Sequence, residues 1–103
     1  MDDIIELKNK KDSYKECLKN VINTANALAS TISILKSTIS IQSECYSVDD
    51  QNGGSNYLNY LLEKEESLYS EIVNNVIASL NSIICNLNIE ISYKEQALAM
   101  GGN

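Results

Sequence analysis

The chain has no proline, no tryptophan, no phenylalanine and no histidine. Its eight cationic side chains are all lysines, so arginine is missing as well. Each absence removes something. Without histidine the usual proton shuttle and the commonest metal ligand are gone. Without arginine there is no planar fork for phosphate or carboxylate. Without proline, and with glycine confined to Gly53-Gly54 and Gly101-Gly102, the chain carries almost no punctuation. Acidic residues number 14 against 8 lysines, a net charge of −6. Such a balance disfavours non-specific nucleic-acid binding, which draws its strength from cationic surface. The N-terminus has no basic segment followed by an apolar run, so no secretory signal peptide is expected. No stretch is read as the roughly 20 apolar residues of a membrane span.

Cys17, Cys45 and Cys85 are odd in number and widely spaced. With no CxxC and no histidine, no zinc site is expected, and the three read as small apolar residues of a reducing compartment. The acidic pairs Asp2-Asp3, Asp49-Asp50 and Glu65-Glu66 read as solvated helix ends rather than as an acid/base pair, which would need a cleft. Gly53-Gly54 lacks the following Lys-Ser/Thr of a phosphate loop. These readings point to a protein that is not an enzyme, with no catalytic residue, cofactor or metal.

At 103 residues the chain is one domain. Two uninterrupted segments flank a single run of turn formers. The reading is all-α, a hairpin of two long antiparallel helices: helix 1 over about 3–46, a loop at 47–55 with its turn at Asn52, Gly53 and Gly54, and helix 2 over about 56–99. Periodicity supports this. In the first segment Leu7, Tyr14, Val21, Leu28 and Leu35 alternate by three and four with Ile4, Lys11, Leu18, Ala25, Ile32 and Ile39, as the two core rows of a heptad pattern do. In the second, one row is Leu62, Tyr69, Val76, Ile83, Glu90 and Ala97. Its partner is Glu66, Val73, Leu80, Leu87 and Lys94, and Ile77, Ile84, Ile91 and Leu98 widen the stripe. A fold about residue 51 makes facing positions sum to about 103, which sets Lys11 beside Glu90 as an expected ion pair. Thr31–Ile34 and Leu87–Tyr93 alternate as strands do, but both lie inside longer heptad runs.

Two helices meeting along one seam bury less surface than a globular domain of this length. A partner surface is therefore expected, with the hairpin forming part of a four-helix or larger bundle. Ile34, Ile41 and Val48 lie off the core stripe of helix 1, and Leu61 and Leu68 off that of helix 2. These five residues are the expected partner-binding set.

An acidic chain of about 100 residues, without a signal peptide and doubled back at a glycine turn, resembles the small WXG-type proteins of Gram-positive type VII secretion. It looks closer still to the α-helical partner proteins of LXG-domain toxins. Asn52-Gly53-Gly54 stands where those families carry Trp-Xaa-Gly, without the tryptophan. Tyr46 and Asp50 have the aromatic-to-acid spacing of the family's export motif, but at the end of helix 1. The resemblance implies a non-catalytic partner or targeting protein that binds the N-terminal helical region of a secreted toxin and assists its export. It implies a cytoplasmic protein exported with its partner by a signal-peptide-independent route. The partner would be the toxin region, a second small helical protein, or both. The alternative is self-association into a homodimeric four-helix scaffold or regulatory adaptor.

Overall fold

A computed structural model describes the backbone of residues 2–45 and 51–101, and the side chains of 2–41 and 57–101. The described residues are entirely helical. Helix α1 spans Asp2–Cys45; α2 spans Gln51–Glu71; a π-helical turn spans Ile72–Ile77; α3 spans Ala78–Gly101. The last three run on without a break, so the molecule is a hairpin of two long rods, 82 × 15 × 14 Å. Its radius of gyration is 22.8 Å, against about 13 Å for a compact chain of this length.

Why α1 forms is visible in its rows. Ile4, Ala25 and Ile32 are buried. Leu7, Lys11, Tyr14, Leu18, Val21, Leu28, Leu35 and Ile39 are half-buried. Every position of the expected stripe from Ile4 to Ile39 thus faces the seam, and Asp2 and Asp3 stand in the first turn, where the helix dipole favours acids. The hairpin register is also as expected: Lys8 pairs with Glu95 at 3.3 Å and Lys36 with Glu66 at 3.3 Å.

The second rod departs from the expected rows at the π turn. A π turn accommodates one extra residue in the helix. Leu62, Glu65 and Tyr69 before it, Ile72, Val73 and Ile77 within it, and Leu80, Ile83, Ile84, Leu87, Ile91 and Lys94 after it are buried or half-buried. The row through Leu62 and Tyr69 therefore continues eight residues on at Ile77, not seven on at Val76. Val76, at 42% exposure, and Glu90 are turned outward. The expected Lys11–Glu90 ion pair is not formed, because the inserted residue rotates Glu90 away. Lys94 bonds Asp3 at 3.1 Å instead.

Helix α2 also begins earlier than expected. It starts at Gln51, so Asn52, Gly53 and Gly54 lie in its first turns and not in a turn between the helices. Val48, Tyr46 and Asp50 lie outside the described residues.

Candidate docking face

No described side chain is fully buried, and none of the buried ones is polar. What the hairpin offers is therefore its two long flanks, and they differ. One flank carries ions. Lys8, Lys15, Ile22 and Lys36 share a heptad position on α1, and Lys8 and Lys36 reach across to Glu95 and Glu66. A shallow groove on this side is lined by Lys15, Leu18, Lys19 and Ile22 with Asn81 and Ile84.

The opposite flank is charged towards the open end, where Asp3, two heptads before Cys17, bonds Lys94 and where Glu90 stands two heptads past Val76, and is uncharged along α1 from Cys17 to Ile41. An open groove of about 610 Å³ runs between α1 and the π turn, lined by Cys17, Asn20, Val21 and Thr24 on one side and by Ile72 and Val76 on the other. Ser13 and Glu16 also line it. Steps of seven from Asn20 reach Ala27, Ile34 and Ile41; steps of seven from Cys17 reach Thr24, Thr31 and Thr38. Stepping back eight from Val76 across the π turn reaches Leu68, and seven more reaches Leu61. Four of the five expected partner-binding residues therefore belong to this one face. Ile34, Ile41 and Leu68 are 68%, 60% and 53% exposed, and Leu61 is half-buried. The fifth, Val48, is the one beyond description.

The three threonines make this face drier than its composition suggests. Thr24 Oγ1 donates to the Asn20 carbonyl at 3.0 Å, Thr31 Oγ1 to Ala27 at 3.1 Å, and Thr38 Oγ1 to Ile34 at 2.9 Å. Each hydroxyl is satisfied by its own helix. A surface packed against them need not supply a hydrogen-bond partner for the donor, so the usual penalty for covering a hydroxyl is reduced. The row was legible as three threonines seven apart, but was not read as part of the docking set. Val76 was assigned to the core, because nothing in the spacing alone shows where the extra residue is absorbed.

The electrostatics are those of a solvated rod. Asp3 is held below the usual carboxylate value of 3.8 chiefly by its hydrogen bond from Lys94. One seam carboxylate is poorly served: Glu65 Oε2 is buried and has no hydrogen-bond partner. Cys17 and Cys85 are exposed free thiols. Among the described residues no three His, Cys, Asp or Glu side chains gather to hold a metal.

One helix is long and apolar enough to cross a membrane. Within Tyr57–Gly101 an 18-residue window reaches a mean hydropathy of 1.3 and is 11% buried in the hairpin. That differs from the expectation of no span-length segment. Between Glu71 and Glu90 there is no charge, yet Asn74, Asn75, Asn81, Asn86 and Asn88 recur there. Five amides facing hydrocarbon would be expensive, and the aliphatics between them supply the seam and Val76.

Fold and face together define a class, an all-α hairpin whose one flank is ion-paired near both ends and whose other flank is uncharged along α1 from Cys17 to Ile41. Comparison with protein families, curated proteins and solved structures returns no match for the chain.

Proposed function

We infer that this protein is a non-catalytic helical adaptor that completes a bundle with another helical chain. Its proposed partner is the N-terminal helical region of a type VII secreted, LXG-like toxin. In this reading the hairpin acts in the cytoplasm, covers that region's apolar stripe and leaves with it by a signal-peptide-independent route. The single observation that carries the reading is the exposure of a hairpin this long. Its accessible surface is 7321 Å², whereas a compact chain of 11.4 kDa shows about 5,800 Å². The excess, about 1,500 Å², exceeds the roughly 800 Å² each partner contributes to a standard interface. The layout resemblance to small type VII proteins supports the toxin as the partner, as an analogy.

Co-expression with the helical N-terminal region of an LXG-like toxin from the same cell tests this. The two chains should co-purify in fixed stoichiometry, and the toxin region should become soluble only in company. A toxin region equally soluble alone, with no co-purification, would remove the proposal.

A further inference from the structure

Lys8, Lys15 and Lys36 share one heptad position on α1, and the rod opposite answers only the outer two. Lys8 pairs with Glu95 and Lys36 with Glu66. Seven residues forward from Lys8 and seven back from Glu95 stand Lys15 and Asn88; seven more reach Ile22 and Asn81, which share one groove. The ladder of ions along this flank therefore has a gap in its middle, where an amide stands in place of a carboxylate. Lys19 joins Lys15 there, and Leu18 and Ile84 complete the lining of this groove of about 390 Å³. Among the described residues Lys15 and Lys19 enter no ion pair. Of the acids beside them in sequence, Glu16 lines the groove on the opposite flank and Asp12 is exposed. The second rod carries no charge between Glu71 and Glu90, so nothing on that stretch repels an anion brought here. In a chain of net charge −6 this is a cationic groove with an apolar floor. Ile22 is 40% exposed, and Leu18 and Ile84 are half-buried.

We propose that this groove takes an acidic amphipathic helix of a partner protein, whose carboxylates one turn apart meet Lys15 and Lys19 while its aliphatic residues pack on Leu18, Ile22 and Ile84. The groove lies between two antiparallel rods, the seat a third rod takes in a bundle. Charge then selects among rods. A wholly apolar helix would strip water from two ammonium groups without supplying a counter-charge, and a basic one would be repelled. Lysines four apart on one helix match acids three or four apart on another, since both spacings put side chains on one face. Beyond Ile22 the flank is uncharged as far as Lys36, so the same helix should be apolar over the turns that follow its acids. This goes beyond the adaptor reading, which places its partner on the face of Thr24, Thr31 and Thr38. The two share only the helical form of the occupant.

The probe is a synthetic helix of about 24 residues, some 36 Å long at about 1.5 Å per residue, with leucine and alanine on its contact rows and two glutamates four apart near one end. A twin carries glutamine in their place. Titrated into the full chain and followed by NMR of the backbone amides, the acidic helix should shift Lys15, Lys19, Ile22, Asn81 and Ile84. It should bind about tenfold more tightly than its twin, the scale of two ion pairs at a partly covered surface, and the preference should fade as salt is raised. Lys15→Glu with Lys19→Glu should reverse the preference with unchanged helical circular dichroism; if helicity falls, Lys15→Gln with Lys19→Gln should abolish it instead. Asn88→Glu should close the gap from within and weaken binding of the acidic helix. Ile34→Glu with Ile41→Glu, on the opposite flank, should leave that binding unchanged. No binding of the acidic helix, equal affinity for both helices, or shifts centred on Thr24 and Thr31 would each overturn the proposal. Failure of the toxin region to co-purify would sink the adaptor's partner and not this groove.

Discussion

Glu65 and Asp3 show what single carboxylates do on a thin rod. Glu65 sits among seam residues with one oxygen buried and unpartnered, a cost of about 1–3 kcal/mol for a group left unsatisfied. Replacing it with leucine should remove that cost and extend the apolar seam between Leu62 and Tyr69. Thermal unfolding by circular dichroism should show a midpoint several degrees higher; a lower one would mean that the carboxylate is satisfied in solution. Asp3 is the opposite case, a fully exposed acid whose value is lowered by Lys94. A lowered folded-state value means stabilisation that is present above the ordinary 3.8 and lost as pH falls through the lowered value. Asp3→Asn should therefore narrow the stability difference between pH 6 and pH 2. Because the group is exposed, the effect should be small and should shrink in high salt. Denaturant titrations at the two pH values measure it.

At the scale of the element, the π turn at Ile72–Ile77 is the decisive feature. It absorbs one residue, so the seam rows before and after it both meet α1. Deleting Asn75 should turn the second rod into one unbroken α-helix in which Leu62 and Tyr69 lead by sevens into the residues now numbered Ile77 and Ile84. That variant should stay folded, with a melting temperature no lower than the parent's. Deleting Ser82 leaves the π turn in place and rotates Ile84, Leu87 and Ile91 off the seam. It should cost about 3 kcal/mol or more, the scale of losing a large buried aliphatic. Equal damage from both deletions would show that the turn does not set the register. The three overlapping apolar rows visible in the sequence were the trace of this feature. They were legible as a wide stripe. Their cause was not, because an extra residue can be absorbed anywhere along a helix, and the cost at each place depends on what the opposite rod presents.

For the whole molecule the governing quantity is surface left uncovered. If a partner helix completes the bundle, the melting temperature must rise with the partner's concentration, since binding to the folded state stabilises by mass action. Scans with the toxin region added over a hundredfold range of concentration should show a steady upward shift; a constant midpoint would mark a self-sufficient hairpin. The seam and the face should also fail differently. Leu28→Asp with Leu80→Asp puts charges at half-buried and buried seam positions and should abolish the helical signal. Ile34→Glu with Ile41→Glu should cost association and leave that signal in place.

The order of apolar residues in α1, the two long unpunctuated segments and the approximate hairpin register were settled by sequence, because heptad spacing leaves a helix only one stripe to bury. The fates of Val76, Glu90, Lys94 and Glu65 were not. Each depends on where the second rod takes up its extra residue, and that is decided by packing against α1. The start of α2 at Gln51, ahead of the glycine pair, was not legible either, since local preference assigns Asn52, Gly53 and Gly54 to a turn. The difference between the flanks has the same origin. Sequence supplied the threonines, lysines and isoleucines, but only the pairing of two rods places Lys8–Glu95 and Lys36–Glu66 on one side and the self-satisfied hydroxyls, with Asp3–Lys94 beyond them, on the other.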